Sequence, residues 1–122
     1  MTQTFGPYTP VRRAGAMYFV SGQVGVDPAT HAAHATVEMQ TRQALKNMQA
    51  ALAEQGVDME DVIKTTIFVT DMNDFATVNS VYETFFGQPR PARSTVQVAH
   101  LPKVGGSTQI LVEIDAVAYK EL

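Results

Sequence analysis

Apolar side chains recur at intervals of three and four residues along segment 36–55, which predicts an amphipathic helix with one buried face. Thr36 stands where an N-cap is expected, Glu38 lies near the positive end of the helix dipole, and Gly56 is placed to end the helix. The residues of the predicted buried face are Val37, Thr41, Ala44, Leu45, Met48, Ala51, Leu52 and Gln55.

A second, shorter helix is predicted to begin at Asn73 or Asp74 and to stop at Gly87. Pro89 and Pro91 follow, and proline cannot continue a helix because it lacks the backbone N–H and clashes with the preceding turn. The predicted buried stripe of this helix consists of Phe75, Val78, Tyr82 and Phe85.

Alternating and β-branched segments predict five strands. Two of them flank Ala14-Gly15 as a β-hairpin, and Gly22 is expected to break the second. The predicted strands are 8–13, 16–21, 62–70, 94–99 and 110–119. In the third strand, the side chains predicted to share one side are Ile63, Thr65, Ile67 and Val69.

The resulting order, β-β-α-β-α-β-β, predicts an α+β fold in which two helices pack on one face of a mixed sheet. The strand–helix–strand segment 62–99 is expected to form a right-handed crossover between parallel strands. Along the last strand, one side is wholly apolar and suits the helix-covered face: Ile110, Val112, Ile114, Ala116 and Ala118. The other side mixes carboxylates with apolar groups and fits a subunit interface that contains a polar site: Leu111, Glu113, Asp115, Val117 and Tyr119.

Composition narrows the class of protein. The 122 residues suit a single domain, 1–122, and the absence of cysteine excludes disulfides and thiolate metal sites. A net charge of −3 without a basic run argues against nucleic acid as a main partner.

The segment 1–8 lacks a signal pattern and the apolar runs fall far short of the ~20 residues of a membrane span, so we expect a cytoplasmic protein without a membrane partner. Only 17% of residues are charged, against about 25% in typical domains, which suggests surface buried against other copies of the chain.

The three histidines are weak candidates for chemistry. His31 and His34 lie in a polar turn with no third ligand nearby in sequence, so a solvated loop is favoured over a metal site. His100 follows a predicted strand and is expected in a loop. Gly105-Gly106 is most simply interpreted as a flexible turn.

Arg93 is the strongest candidate for binding a ligand. It lies at the entry to a predicted strand, after a proline-stiffened loop, where its guanidinium can bind a carboxylate through two parallel hydrogen bonds. From the residue pattern alone, an ordinary surface arginine remains the more common interpretation, and a carboxylate such as Glu113 on a half-exposed strand equally needs no role.

Several short motifs, in order along nearly the whole chain, together resemble the RidA family, also called the YjgF family of reactive-intermediate deaminases. They are Gly6-Pro7-Tyr8, Ser21-Gly22-Gln23, Lys64-Thr65-Thr66, the segment 73–79, Tyr82-Glu83, Pro91-Ala92-Arg93-Ser94, Leu101-Pro102-Lys103 and the segment 112–118. The resemblance implies a chorismate-mutase-like fold and a homotrimer with sites in the clefts between subunits. It also implies hydrolysis of enamines and imines such as 2-aminoacrylate to 2-keto acids and ammonia, with no cofactor and no metal.

The resemblance also implies roles for individual residues. Arg93 matches the arginine that binds the substrate carboxylate, and Glu113 matches the carboxylate that positions or activates water. The remaining substrate-binding positions are Tyr8, Ser21, Asn79 and Thr95, of which Thr95 stands where several members have cysteine. Glu113 would accept or donate one proton beside a bound imine that Arg93 holds in place.

Two departures from the family pattern leave alternatives open. Segment 104–109 looks longer than the usual link before the last strand, and 87–90 looks short. A pathway-specific deaminase, for instance of an aminomuconate-like compound, is one alternative, with the longer loop as its mark. A trimer that binds a small carboxylate or a protein partner without catalysis is another. RNA cleavage, attributed to relatives, is disfavoured by the acidic balance.

Overall fold

A computed structural model describes residues 4–121. Residues 1–3 and 122, at the ends of the predicted domain 1–122, lie outside the described residues. The first three residues of segment 1–8, in which no signal pattern was expected, are therefore not described either. The strands are β1 (Val11–Ala14), β2 (Met17–Val24), β3 (Val26–Asp27), β4 (Ala32–Ala33), β5 (Val62–Val69), β6 (Ala92–Gln97) and β7 (Val112–Tyr119). The helices are α1 (Val37–Ala53) and α2 (Phe75–Tyr82), with short 3-10 turns at Met59–Asp61 and Met72–Asp74.

Helix α1 forms as its sequence predicts. The Thr36 hydroxyl accepts a hydrogen bond from the Met39 N–H at 3.2 Å and so caps the helix. Gly56 follows the helix end with φ +73°, a conformation that glycine adopts without strain. The predicted buried face is confirmed except at its ends, because Val37 is half-buried and Gln55, beyond the last helical turn, is exposed.

Five strands form one mixed sheet in the order β1-β2-β7-β5-β6. Strands β5 and β6 are parallel and joined through α2, and the other neighbours are antiparallel. Both helices contribute buried residues to the same apolar core over one face of this sheet. The predicted α+β architecture is therefore confirmed. The small β3–β4 ladder was not predicted, since two-residue strands carry no periodicity.

The hairpin is displaced from its predicted position. Strand β2 runs on through Gly22 instead of breaking there, and its pairing with β7 shifts between Val20 and Gln23. A β-bulge accommodates the glycine, so the strand bends without ending.

Two residues depart from their predicted places, since Ile63 was expected to share one side of its strand with Thr65, Ile67 and Val69, and Phe75 was expected in the buried stripe of the second helix. Ile63 is 48% exposed, because the pairing of β5 with β7 shifts between Val62 and Lys64 and turns Val62 inward instead. Phe75, at the start of α2, is 40% exposed. Helix α2 ends at Tyr82, before the predicted Gly87. The N–H groups of Thr84 and Phe85 donate to carbonyls three residues back, where an α-helix would use carbonyls four residues back.

The alternation along β7 is confirmed. Its even-numbered side chains are buried under the helices, and its odd-numbered ones are half-buried or exposed on the opposite side of the sheet, here called the outer face. Phe19 and Tyr119 lie on this outer face with 48% and 43% exposure. Within residues 4–121, no helix has the length and apolar character to cross a membrane.

Candidate active site

Arg93 points to the helix side of the sheet. It pairs with Thr65, which is fully buried beneath α2, and residues paired across two strands present their side chains to the same face. The Arg93 guanidinium carbon lies 5.4 Å from the centre of the Phe75 ring and 5.0 Å from that of Tyr82. These cation–π contacts hold the guanidinium between two helix residues and leave its N–H edge available.

Tyr82 is itself fixed in place. Its hydroxyl shares a hydrogen bond of 2.7 Å with the Thr65 hydroxyl, and burial raises the pKa of the phenol, while the Thr65 hydrogen bond and the Arg93 charge oppose that rise. The phenol therefore stays neutral and serves as a support for Arg93.

A cavity of about 320 Å³ opens beside Arg93. Arg90 contributes a second guanidinium to it, so this part of the surface suits an anion. We call it the arginine half-site, lined by Asn79, Tyr82, Glu83, Arg90, Pro91 and Arg93. Arg90 and Tyr82 did not appear among the predicted site residues, although the spacing Pro89-Arg90-Pro91-Ala92-Arg93 holds a usable signal.

Asn79 and Thr95 lie on the same side of the sheet as Arg93. Thr95 pairs with the buried Ile67, two residues along β6 from Arg93, and Asn79 is on α2. Within residues 4–121, the side-chain oxygens Oδ1 of Asn79 and Oγ1 of Thr95 are buried without a hydrogen-bond partner. An unpaired buried oxygen is costly, and that of Asn79, which lines the cavity, marks a place for a water or a ligand.

Glu113 points to the outer face, since it pairs with Phe68 and lies between the buried residues Val112 and Ile114. Its carboxylate packs directly on the backbone of Gly22, where a Cβ would collide with the carboxylate oxygen. Burial raises the pKa of the Glu113 carboxyl, and the neighbouring Asp115 raises it further. A carboxyl with a raised pKa is suited to accept and return a proton.

A second cavity, of about 280 Å³, surrounds the Glu113 carboxyl. The Ser21 hydroxyl donates to the Thr9 carbonyl at 2.6 Å, and the Tyr8 hydroxyl accepts from the Phe5 N–H at 3.1 Å. The first bond ties the N-terminal segment to β2, and the second fixes Phe5 against Tyr8 within that segment. We call this region the carboxylate half-site, lined by Phe5, Tyr8, Ser21, Gly22, Val24, Pro102, Val104 and Glu113.

The residues predicted for the site thus fall into two groups. Tyr8, Ser21 and Glu113 share the carboxylate half-site. Arg93 and Asn79 share the arginine half-site, and Thr95 faces the same side. The sheet separates the two groups, so one chain does not bring the whole set together.

The histidines take no part in either half-site. The His34 Nε2 lies 3.1 Å from the Gln43 side-chain oxygen and 4.0 Å from Asp27. His31 adopts φ +60° in the turn after β3. His100 lines a separate cavity with Lys103. The part of the chain that the structure describes holds no group of three or more side chains of metal-ligand type.

Gly105-Gly106 lies in a turn, as predicted, and Gly105 is held there by specific contacts. The Gly105 carbonyl accepts a hydrogen bond from the Ala33 N–H at 2.9 Å, and its φ of +75° is left-handed. A Cβ there would lie 2.6 Å from a methyl group of Val26. The turn is therefore packed against the β3–β4 ladder and requires glycine.

Known proteins resemble this chain along most of its length. The chain is 45% identical over 118 residues to a 2-iminobutanoate/2-iminopropanoate deaminase of Salmonella typhimurium, covering 94% of this chain and 88% of that protein. It is 44% identical over 117 residues to a RutC family protein of Pyrococcus horikoshii, covering 95% and 89%.

Solved structures agree with the sequence relatives. RidA from an Antarctic Psychrobacter superposes with a TM-score of 0.90 at 34% identity, covering 97% of this chain and 92% of that one. The structure of Escherichia coli TdcF with bound serine superposes with a TM-score of 0.87 at 41% identity, covering 97% and 91%. The family model described as Endoribonuclease L-PSP matches residues 1–120. The chain belongs to this family, the RidA/YjgF family.

Proposed function

We propose that the protein hydrolyses reactive 2-imino acids and their enamine forms, such as 2-aminoacrylate and 2-iminopropanoate, to 2-keto acids and ammonia. The observation that carries the proposal is a pair of complementary half-sites, one with two guanidiniums and one with a carboxyl of raised pKa. The relative from Salmonella that is named for this activity is similar over nearly the whole chain. Imines of this kind arise where pyridoxal-phosphate enzymes work, and a cytoplasmic location is part of the proposal.

A complete site requires two copies of the chain, with the arginine half-site of one facing the carboxylate half-site of the next. Two different surfaces that meet head to tail generate a ring when the rotation closes. The family resemblance favours a ring of three. The outer face supports assembly, since exposed Phe19, Val96 and Tyr119 lie on or beside it and a monomer would leave this apolar surface in water.

Arg93 binds the substrate carboxylate through two parallel N–H hydrogen bonds from its guanidinium, and Arg90 adds positive charge at the cavity rim. This contact holds the imine carbon near Glu113 of the adjacent copy. Enamine substrates first take a proton on the β-carbon and become protonated imines, the form that water attacks. Holding the reacting carbon beside one water lowers the entropic cost of bringing the two reactants together.

Glu113 performs the proton transfers. Its carboxylate takes a proton from water as the water oxygen bonds to the imine carbon, which gives a carbinolamine. That proton then passes to the amino nitrogen, and the carbon–nitrogen bond breaks as ammonia leaves. The remaining hydroxyl proton goes to the Glu113 carboxylate and from there to the ammonia, which gives the ketone and an ammonium ion. One positioned acid–base group contributes about 10²–10⁴-fold, which suffices because free imines already hydrolyse in water.

The test uses 2-aminoacrylate generated from serine by a pyridoxal-phosphate dehydratase. Wild-type protein is expected to speed the loss of the intermediate, and Arg93→Ala is expected to abolish that effect. Arg42→Ala is the matched control, because Arg42 lies on α1 near Glu38 and lines neither half-site. If the wild type gives no acceleration, the deaminase function is refuted and a non-catalytic carboxylate-binding trimer takes its place.

A pathway-specific deaminase for a larger, aminomuconate-like compound is a second candidate. It is favoured by one observation, namely that Val104, in the segment that looks longer than usual, reaches the wall of the carboxylate half-site. Rates measured side by side on 2-iminopropanoate and on an aminomuconate-like enamine separate the two candidates.

A further inference from the structure

The loop between β6 and β7 is fixed to the body of the protein by one buried side chain. Gln40 is fully buried in α1, and its amide nitrogen donates to the carbonyls of His34 and Gln109, each at 2.9 Å. Its amide oxygen accepts the Leu111 N–H at 2.8 Å. Both N–H donors of the amide and its oxygen are thus bonded to the polypeptide on either side, and the end of the loop is anchored to α1.

A second contact anchors the middle of the loop. Gly105 is hydrogen-bonded to the Ala33 N–H and packs against Val26 without room for a side chain. Beneath the loop, a small apolar cluster forms apart from the main core, consisting of Val24, Val26 and Ile110 with Ala33, Leu101 and Val104 packed against it.

Val104 directly precedes the Gly105 anchor and has two different surroundings. One side packs on the small cluster, and the other side faces the cavity around Glu113, next to Pro102. The polar groups of that cavity are the Glu113 carboxyl, Ser21 and the Tyr8 hydroxyl. The apolar groups, Phe5, Val24, Pro102 and Val104, form the remaining wall. A bound imino acid that presents its reacting carbon to Glu113 meets this wall with its side chain.

We propose that Val104 is the residue that limits the size of the substrate side chain at this site. The inference rests on the proposed deaminase function and deepens it. The Gln40 and Gly105 contacts hold the valine in place, so the wall does not retreat to admit a bulkier group. In a hydrophobic pocket, one methylene changes the relative kcat/KM of two substrates by about 10–200-fold.

The experiment compares two imines made by an amino acid oxidase, the unbranched four-carbon 2-iminobutanoate and the branched 2-imino-4-methylpentanoate. The measured quantity is the ratio of kcat/KM for the branched over the unbranched imine. Val104→Ala is expected to raise the ratio about tenfold, because it removes two methyl groups from the wall. Val104→Ile adds a methylene and is expected to lower the ratio, which tests the same wall in the opposite direction with a variant that keeps the loop packed.

Val26→Ala is the matched control. It removes the same atoms from the same small cluster, but Val26 does not line the carboxylate half-site. It is expected to leave the ratio unchanged. An unchanged ratio in both Val104 variants overturns this inference while the deaminase function stands. An equal change in Val26→Ala also overturns it, because the effect would then come from loosening the cluster. No acceleration by the wild type overturns both.

Discussion

Arg93 and Glu113 lie on opposite faces of the same sheet, on β6 and β7, with β5 between them. Arg93 is paired with Thr65 on the helix side, and Glu113 is paired with Phe68 on the outer face. A single copy of the chain therefore presents these two groups to different surroundings. Any reaction that uses both of them requires a second copy.

This relationship predicts complementation between two inactive variants. Arg93→Ala and Glu113→Ala are each expected to abolish imine hydrolysis alone. In trimers assembled from an equal mixture of the two chains, a site is intact where the wild-type Arg93 of one chain meets the wild-type Glu113 of its neighbour. In random rings about a quarter of the sites are intact, so about a quarter of wild-type activity should return. The measurement is the imine-hydrolysis rate of co-refolded or co-expressed mixtures.

The control for complementation pairs Arg93→Ala with Asn79→Ala. Both changes fall in the arginine half-site, so mixed rings of Arg93→Ala and Asn79→Ala should show no gain beyond the activity that Asn79→Ala has alone. Mixed rings of the Arg93 and Glu113 variants that assemble and stay inactive would contradict a site shared between copies.

The outer face predicts how assembly is lost. Phe19→Glu places a charge on this apolar surface, where Phe19 is 48% exposed, and is expected to yield a folded chain of lower mass in sedimentation velocity. Met39→Glu, on the exposed side of α1 with 43% exposure, should leave the mass unchanged. A Phe19→Glu variant that sediments like the wild type would argue against this face as the interface.

The pKa of Glu113 predicts the pH dependence of activity. Hydrolysis needs the Glu113 carboxylate to accept a proton, so kcat/KM is expected to fall as the pH drops through a pKa above the ordinary 4.5 of glutamate. Asp115→Asn removes the like charge and is expected to shift this acidic limb to lower pH. A limb that does not move would show that burial alone raises the pKa.

The raised pKa of Glu113 also makes the stability of the folded chain depend on pH. The dependence is opposite to that of a salt-bridged carboxylate, whose pKa is lowered on folding. Because the folded-state pKa of Glu113 lies above its unfolded value, the folded chain holds the proton more tightly, and stability is lost as the pH rises from the unfolded pKa through the folded one. Glu113→Gln removes this loss. The variant is expected to have a higher urea midpoint of unfolding than the wild type at pH 7. The difference between the two should disappear at acidic pH, where the Glu113 carboxyl is protonated.

The buried Gln40 predicts a large effect on stability. Gln40→Leu keeps the side-chain size but leaves the carbonyls of His34 and Gln109 and the Leu111 N–H without partners, at a cost of about 2–4 kcal/mol. Urea unfolding at one fixed protein concentration measures it, since an oligomer's stability depends on concentration. Gln49→Leu, at an exposed position of the same helix, should stay within about 0.5 kcal/mol of the wild type.

Local periodicity sufficed for several parts of this protein. The three-and-four spacing of α1, its Thr36 cap and the alternation of β7 are properties of consecutive residues, and each is confirmed. Because alternation assigns a side chain to one face of its strand, the sequence alone predicts that Glu113 points away from the helices. The family motifs depend on the order of residues alone, and that order also indicated the family.

The tertiary structure decided what depends on register and on distant contacts. Strand β6 (Ala-Arg-Ser-Thr-Val-Gln) has no clear apolar alternation, so only its parallel pairing with β5 assigns Arg93 to the helix side. Irregularities in β2 and in β5 moved Gly22 and Ile63 out of their expected places. Gln40 and Gly105 owe their importance to partners far away in sequence, which no local pattern reveals. The sequence by itself determines the features that depend on neighbouring residues, such as helix spacing and strand alternation. Only the tertiary structure decides the division of the site into two halves, because that division depends on which strands pair and in which register.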